Sequence, residues 1–232
     1  MTTTDLPEWA RNIAVFDTET TGVTAGTDRI VTATVAILNE HGAVEERASW
    51  LLNPDFPIDP KATEVHGVSD ARAKSEGSDA ATGVREILES VLASGLPVVA
   101  FNAVFDFSIL RAECERYGID FKLPSLIVDP HVIDKHFDKY RKGKRTLTAT
   151  TEAYGVPFEN AHDAEADAVA AGRLLQAMVR RLGLSVTDNL MRAQTSWKRE
   201  QAINFQGYLR MKGNADAYIN PGWPLEDRVV AP

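Results

Sequence analysis

The sequence predicts an α/β protein in which helices cover both sides of a mixed five-stranded sheet and a helical tail follows at the C-terminus. Three observations support this prediction. Three strand-like runs open the chain, strand-like and helical segments alternate in its middle, and the composition changes near residue 185. Alternation of this kind is typical of parallel strands with helices on the sheet faces.

The first three strands are predicted from short apolar runs rich in β-formers. Ile13 to Asp17 reads IAVFD and is closed by turn residues. Arg29 to Leu38 and Val44 to Leu52 have the same character, and the intervening NEHG suits a hairpin loop. We therefore expect these three strands to be antiparallel neighbours.

The middle of the chain alternates between helical and extended patterns. Asp79 to Ser94 has apolar residues at helical spacing, with Asp79 placed to cap the helix and Gly95 to end it. The extended runs PVVAFN and LIVD predict the fourth and fifth strands, at 97–102 and 126–129, and a helix at 106–117 lies between them. Asp129, which precedes Pro130, is interpreted as a helix cap and not as a catalytic residue.

Two long helices are predicted in the last third of the chain, at 164–182 and at about 187–212. On the second, Trp197, Phe205, Tyr208 and Leu209 would share one face. We accordingly divide the chain into a catalytic domain at 1–184 and a C-terminal helical extension at 185–232. The aromatic face would pack on the catalytic domain or dock a partner.

Composition limits the classes of function. The chain has 232 residues, and the apolar runs are far shorter than the roughly 20 residues of a membrane span, so we expect no membrane association. Cys114 is the single cysteine, which excludes an internal disulfide and a thiolate-rich zinc site. Because the N-terminus does not resemble a secretory signal, the expected location is the cytoplasm.

The net charge of -8, from 25 basic and 33 acidic residues, is unsuited to holding a nucleic-acid duplex by bulk electrostatics. Contact with nucleic acid would therefore be local or assisted by cations. Residues 135–145 contain six basic side chains and one acid, Asp138. This segment is either a solvated loop or a contact for phosphates.

Carboxylates follow several apolar elements. Asp17 and Glu19 are two apart at the end of the first strand, so both point to the same side. Asp106 and Asp167 lie at the starts of predicted helices. Each alone could be an exposed rim residue or an acid favoured by the helix dipole. Four carboxylates brought together would repel one another unless cations neutralised them, which suggests a site for two Mg²⁺ or Mn²⁺ ions.

Three motifs resemble those of the proofreading-type DEDD exonucleases, a family that includes the epsilon subunit of bacterial replicative polymerases and RNase T. They are FDTETTG at 16–22, NAVFD at 102–106 and HDAEAD at 162–167, in the family's order. His66-Gly67-Val68 is similar to a further element between the first two motifs. The resemblance covers roughly residues 12–180 and implies an RNase H-like fold.

The family divides by the residue that precedes the last aspartate of the site. His162 lies five residues before Asp167, whereas the tyrosine branch would have Tyr where this chain has Asp163. The chain therefore resembles the histidine (DEDDh) branch. Without the resemblance, His162 would be interpreted as an ordinary residue at a helix N-terminus.

The resemblance implies a two-metal 3′-5′ exonuclease that releases nucleoside monophosphates from the 3′ end of DNA, with a single-stranded or frayed end as substrate. Asp17, Glu19, Asp106 and Asp167 would be the metal ligands, and His162 would be the general base, since its ordinary pKa suits that role near neutral pH.

Substrate contacts are also implied by the resemblance. Thr18 and Glu19 would lie near the terminal 3′-hydroxyl, whereas His66, Asn102 and Phe105 would line the groove for the last nucleotides. From the residues alone, His66-Gly67 could be simply a turn, and Phe105 could be a core residue.

Four functions remain open from sequence. The first is a free-standing or repair-type DNA exonuclease, and the second is a proofreading subunit whose tail docks to a DNA polymerase. The third is a family exoribonuclease acting on RNA, and the fourth is a nucleic-acid-binding module without activity. The sequence also departs from the family around residues 147–154, where threonines replace leucines at helical spacing and leave the packing of that helix open.

Overall fold

The computed structural model describes residues 5–158, 163–184 and 189–228. In this part of the chain the strands form a six-stranded sheet in the order β4-β3-β2-β1-β5-β6. The strands are β1 (Ile13–Thr20), β2 (Ile30–Leu38), β3 (Val44–Asn53), β4 (Ser78–Asp79), β5 (Val98–Val99) and β6 (Ile127–Val128).

Nine helices are present in the described chain. They are α1 (Glu8–Arg11), α2 (Pro60–His66), α3 (Asp70–Glu76), α4 (Ala80–Ala93), α5 (Val104–Arg116), α6 (Pro130–Phe137), α7 (Leu147–Tyr154), α8 (Ala164–Leu182) and α9 (Leu190–Met211). Every one of them is too short or too polar to cross a membrane.

The sheet is mixed, as predicted. The strands β1, β2 and β3 are antiparallel neighbours, whereas β5 pairs parallel to β1 and β6 pairs parallel to β5. The C-terminal ends of β1, β5 and β6 therefore lie at one edge of the sheet. We call this edge the active edge, because the carboxylates described below lie there.

The prediction of five strands was one short. The additional strand, β4, has two residues and pairs parallel to the end of β3. A two-residue strand is too short to show an alternating pattern, and Asp79 within it also caps α4 by accepting a hydrogen bond from the Thr82 amide at 2.8 Å.

Alternation along β1 divides the core into two layers. Ala14 and Phe16 pack on one side of the sheet with α4 and α5, whereas Ile13 and Val15 pack on the other side with α8. This alternation determines which side chains of the following Asp17-Thr18-Glu19 segment face each layer.

The threonines of α7 pack without leaving buried hydroxyls unsatisfied. Thr150 and Thr151 are fully buried, and their hydroxyls donate to the carbonyls of Thr146 and Leu147, one turn earlier. Bonds of this kind allow threonine to occupy a buried helical position.

The C-terminal segment lies against the end of β6 and the apolar core. Gln194 of α9 accepts a hydrogen bond from the Asp129 amide at 2.7 Å and donates to the Ile127 carbonyl at 2.9 Å. Trp223 is 5% exposed and belongs to the same apolar cluster as Phe16. The predicted aromatic face is divided: Trp197 packs on the core, whereas Phe205 and Tyr208 are each 49% exposed.

Candidate active site at the active edge

The first motif places two carboxylates on one side of the sheet. Asp17 and Glu19 continue the alternation of Ile13 and Val15, so they face the layer that contains α8. Thr18, between them, faces the layer that contains α5. The strand thus presents one pair of acids to α8 and one hydroxyl to α5.

Helix α8 brings the third carboxylate to this pair. Asp163 caps the helix by accepting hydrogen bonds from the amides of Glu165 and Ala166, and Asp167 lies in the first turn. One carboxylate oxygen from each of Asp17, Glu19 and Asp167 lies within 4.8 Å of the others. This spacing is suited to a shared cation.

The close approach of α8 to β1 depends on a glycine. A Cβ atom at Gly172 would lie 2.5 Å from side-chain carbons of Val15 and Leu38. Glycine therefore allows the helix to pack directly on β1, the strand that bears Asp17 and Glu19.

The fourth carboxylate enters from the opposite layer. Asp106 lies in the first turn of α5, is 3% exposed, and accepts hydrogen bonds from the Thr18 amide at 3.1 Å and the Thr18 hydroxyl at 2.8 Å. Because β5 ends at Val99, opposite Val15, the chain beyond it is free to turn and deliver Asp106 to Thr18.

The electrostatics of the four carboxylates are linked. Burial, and then the negative charges of Asp106 and Asp167, raise the pKa of Asp17 well above its ordinary value. Burial and the charge of Asp167 raise the pKa of Glu19 to about 8. Burial raises the pKa of Asp106 to about 7, although its hydrogen bonds from Thr18 act in the opposite direction. Without cations, the folded protein resists ionising this cluster.

The donor set suits divalent cations that prefer oxygen. Asp17, Glu19 and Asp167 offer oxygens near one point, and Asp106 lies close enough to raise the pKa of both Asp17 and Glu19. Carboxylates are the ligands that Mg²⁺ and Mn²⁺ prefer, and bound positive charge would relieve the repulsion within the cluster. These residues therefore fit the predicted metal site.

A second buried acid supports this site, and the sequence analysis treated it only as a helix cap. Asp129 is fully buried at the end of β6 and caps α6, as predicted, but it also accepts hydrogen bonds from the amides of Asn102 and Ala103 at 3.0 and 3.1 Å. Asn102 has a φ of +64°, a conformation that asparagine adopts more readily than most residues. Asp129 therefore holds the turn that leads into α5 and Asp106.

One signal could have revealed this role. Asp129 follows the apolar run LIV just as Asp17 follows IAVF, so both acids come after the apolar part of parallel strands and lie near the same edge of the sheet. The Trp223 indole, which donates to Asp129 at 3.2 Å, could not have been anticipated from sequence spacing.

The residues expected to contact substrate have differing environments. Glu19 and His66 line a groove of about 330 Å³ together with Trp50 and Asp163. The His66 Nε2 atom lies 3.3 Å from the Thr20 carbonyl oxygen and donates to it, and Nδ1 accepts from the Val68 amide, which fixes the ring beside Glu19. Burial lowers the pKa of His66, which favours this neutral form.

The remaining residues expected to contact substrate lie near the ends of helices or beside Asp106. The Thr18 hydroxyl donates to Asp106, so Thr18 positions a carboxylate of the site. Phe105 is half-buried at the start of α5, next to Asn102, whose carbonyl accepts its amide hydrogen bond at 2.9 Å. His66 is the last residue of α2, and Gly67 ends that helix with a φ of +73°. His162, the expected general base, lies outside the described residues.

Comparison with known proteins agrees with this geometry. The family described as Exonuclease (RNase_T) matches residues 14–175. A DNA polymerase III subunit epsilon-like protein of Rhodobacter capsulatus is 34% identical over 172 residues, which cover 71% of this chain and 24% of that protein. A PolC-type DNA polymerase III of Streptococcus thermophilus is 30% identical over 166 residues, 69% of this chain and 11% of the polymerase. The chain thus spans a quarter or less of the length of these relatives.

Solved structures match the fold. E. coli exonuclease I in complex with a dT13 oligonucleotide superposes with a TM-score of 0.64 at 21% identity, covering 74% of this chain and 42% of that one. Its zinc-bound complex with single-stranded DNA matches with the same TM-score. The described sheet, with helices on both sides, is therefore the RNase H-like fold that the motifs implied. From the family match and the fold, the chain belongs to the exonuclease family.

Proposed function

We propose that this protein is a 3′-5′ exonuclease that hydrolyses DNA from its 3′ end and releases nucleoside monophosphates. The observation that carries the proposal is the meeting of Asp17, Glu19 and Asp167 within 4.8 Å, beside a buried Asp106 that Thr18 holds in place. The 3′ polarity and the preference for DNA rest on the motifs and on the named relatives.

The protein's own residues would bind and orient the reactants. Asp17, Glu19, Asp106 and Asp167 would hold two Mg²⁺ or Mn²⁺ ions, which supply an activated water and stabilise the departing 3′ oxygen when bound. His162 would accept the proton of the attacking water. His66 and Phe105 would contact the terminal nucleotides along the groove beside Glu19.

A nuclease assay tests this proposal. A 5′-labelled oligonucleotide should give a ladder that shortens from the 3′ end with Mg²⁺ or Mn²⁺, and a chelator should stop the reaction. Single-stranded DNA, duplex DNA and RNA of one sequence should be compared, and single-stranded DNA should be degraded fastest. Hydrolysis in the presence of chelator, or cleavage within a circular strand, would contradict the proposal.

A pair of variants distinguishes the loss of a carboxylate of the cluster from the loss of a carboxylate elsewhere on the surface. Asp17→Asn removes one charge of the cluster and should abolish hydrolysis even at saturating Mg²⁺, because this carboxylate faces both Glu19 and Asp167. Asp120→Asn removes an exposed charge in the loop between α5 and β6 and should leave the rate unchanged. Equal activity of the two variants would exclude the cluster from catalysis.

The named relatives favour a second candidate, a proofreading nuclease that acts with a DNA polymerase. The similarity to an epsilon-like protein and to PolC-type polymerases supports it. Size-exclusion chromatography of the protein, alone and mixed with a replicative polymerase, would detect such a complex. In either case we propose that the protein acts in the cytoplasm, where bacterial DNA and its polymerases are found.

A further inference from the structure

A second groove lies between α6, the loop 138–145 and α9, and we call it the α6–α9 groove. It has a volume of about 420 Å³, and its lining includes Lys135, Lys139, Arg141, Arg145, Trp197 and Phe205. The lining thus combines positive charge with aromatic rings. None of these residues belongs to the carboxylate site.

The groove is strongly basic in an acidic protein. Residues 134–145 and 190–212 together contain eleven basic and three acidic residues, whereas the whole chain has 25 and 33. Charge is therefore segregated, with an excess of positive charge on the two segments that form this groove. Such segregation is suited to a polyanion.

Part of this charge is held in place by the fold. Asp134 is fully buried and pairs with Arg141 at 2.5 Å and with Arg145 at 2.7 Å, so the guanidinium groups are fixed at the base of the loop. Lys139 pairs with Glu200 at 3.1 Å, but both side chains are more than half exposed, and such pairs are weak and easily exchanged. Lys139 can therefore contact an anion instead.

The aromatic rings are arranged as a stacking surface. Trp197 stacks on His136 with ring centroids 4.1 Å apart and planes 14° apart. Phe205 and Tyr208 are likewise nearly parallel, at 14° and 6.4 Å, and about half of each is exposed. Exposed rings beside basic side chains are the combination by which proteins bind single-stranded nucleic acid without sequence preference.

The groove lies on the side of the molecule that carries the active edge. Gln194 of α9 bonds to Ile127 and Asp129 at the end of β6, and Gln201, two turns later, donates to Val132 in the first turn of α6. From Gln201 onward α9 therefore runs past the C-terminal end of β6. At a rise of about 1.5 Å per residue, Phe205 lies roughly 16 Å along the helix from Gln194.

We propose that the α6–α9 groove binds the single-stranded part of the substrate, a few nucleotides away from the reacting 3′ end. Lysine and arginine side chains of the groove contact the phosphates, and Phe205 and Tyr208 stack on bases. The inference rests on the proposed nuclease function. It adds a binding track that retains a long strand between successive cleavages.

Fluorescence anisotropy with a labelled 16-nucleotide thymidine oligomer, in chelator so that no hydrolysis occurs, tests the proposal. Lys135→Gln/Lys139→Gln should weaken binding about tenfold and make its salt dependence shallower by roughly 1.4 in log-log slope, since each phosphate contact to a single strand contributes about 0.7. Phe205→Ala should also weaken binding. Lys122→Gln removes one exposed charge from the loop before β6 and is the matched control for the single variant Lys139→Gln.

Hydrolysis of the p-nitrophenyl ester of thymidine 5′-monophosphate separates this inference from the proposed function. The ester has no further nucleotides that could contact the groove, and it occupies only the proposed metal site. The groove variants should therefore hydrolyse it at the wild-type rate. Since Lys135 is half-buried, the exposed single variant Lys139→Gln repeats the binding test with less risk to folding. Absence of ester hydrolysis in the wild type would refute the proposed function without affecting the binding result.

A uridine oligomer of equal length and a polyglutamate peptide complete the test. Weaker binding of the groove variants than of Lys122→Gln to either oligomer supports the proposal. The oligomer that is affected identifies the sugar that the groove accepts. Affinities of the groove variants equal to that of Lys122→Gln, for both oligomers, would overturn it. Binding of polyglutamate as tightly as the thymidine oligomer would assign the groove to an acidic protein instead.

Discussion

At the residue scale, the site depends on hydrogen bonds that reach across the sheet. Thr18 uses both its amide and its hydroxyl to hold Asp106, and Asp129 uses both carboxylate oxygens to hold the backbone turn at Asn102 and Ala103. Asp106 is thus positioned by two residues distant in sequence, directly by Thr18 and through the turn by Asp129.

Replacing Asp129 with Asn should lower both stability and catalysis. The amide group keeps one acceptor oxygen but presents N–H groups to the buried amides of Asn102 or Ala103, which costs on the order of 3 kcal/mol. Urea unfolding measures the loss of stability, and kcat measures the displacement of Asp106. Trp223→Phe removes only one hydrogen bond to Asp129 and should have a smaller effect on both. A wild-type kcat in Asp129→Asn would refute the positioning role.

Replacing His162 with Ala should reduce kcat by roughly a hundredfold or more while the affinity for Mn²⁺ stays near the wild-type value, because in the proposed mechanism the histidine accepts a proton and is not a ligand. Single-turnover rates and calorimetric titration with Mn²⁺ would measure the two quantities. An unchanged single-turnover rate would remove His162 from the mechanism.

At the element scale, α8 connects packing to chemistry. It presents Asp167 in its first turn and packs on β1 through Gly172, five residues later. A displacement of this helix therefore moves a predicted metal ligand relative to Asp17 and Glu19. The same contact stabilises the layer that contains Leu174 and Met178.

Gly172→Ala should destabilise the protein by about 1–3 kcal/mol, since the added methyl group meets Val15 and Leu38 at 2.5 Å and forces the helix outward. Metal affinity should fall with it. Gly207→Ala in α9 is the control: its Cβ would meet nothing within 4 Å, so the substitution should leave stability equal or slightly higher. Thermal melting of both variants would show whether the loss of stability comes from the close packing at Gly172 or from replacing any helical glycine.

Elements with strong periodicity could be predicted from sequence, and short ones could not. The prediction for α8 matches the structure at both ends, and α4 differs from its prediction by one residue at each end. By contrast, the predicted strand 97–102 is only Val98–Val99, because the left-handed Asn102 and the backbone amides that donate to Asp129 turn the chain early. Helices α2 and α3, of seven residues each, have too few turns for an apolar stripe.

For the site, the apolar elements that precede the acids and the resemblance of the motifs predicted that Asp17, Glu19, Asp106 and Asp167 gather, and the structure places Asp17, Glu19 and Asp167 together. The contacts of Asp129 with Asn102 and Trp223 join residues up to 94 positions apart, and local patterns carry no information about such pairs. The roles of His162 and of the residues assigned to substrate stay predictions.

At the scale of the whole molecule, a fold that gathers four carboxylates has a stability that depends on pH and on cations. Burial raises the pKa of Glu19 to about 8 and of Asp106 to about 7. Between about pH 4 and pH 8 the folded protein without metal therefore binds more protons than the unfolded chain. Its stability should fall as pH rises through this window.

Divalent cations should reverse this loss. Mg²⁺ or Mn²⁺ at about one hundred times its Kd should contribute about 2.7 kcal/mol, with a larger increase in Tm at pH 8 than at pH 5, where protons compete for the carboxylates. Melting curves with and without chelator at both pH values measure this difference. In Asp17→Asn the increase should shrink, and an equal increase in that variant would place the cations elsewhere.

The hydrogen bond between Trp223 and Asp129 gives this protein an internal optical reporter. The indole is buried, and the carboxylate that it touches also fixes the turn leading to the candidate active site. Replacing Trp9, Trp50 and Trp197 by phenylalanine would leave one emitter beside that turn. Its emission maximum and lifetime would then follow rearrangements at the back of the site in real time, without any added dye.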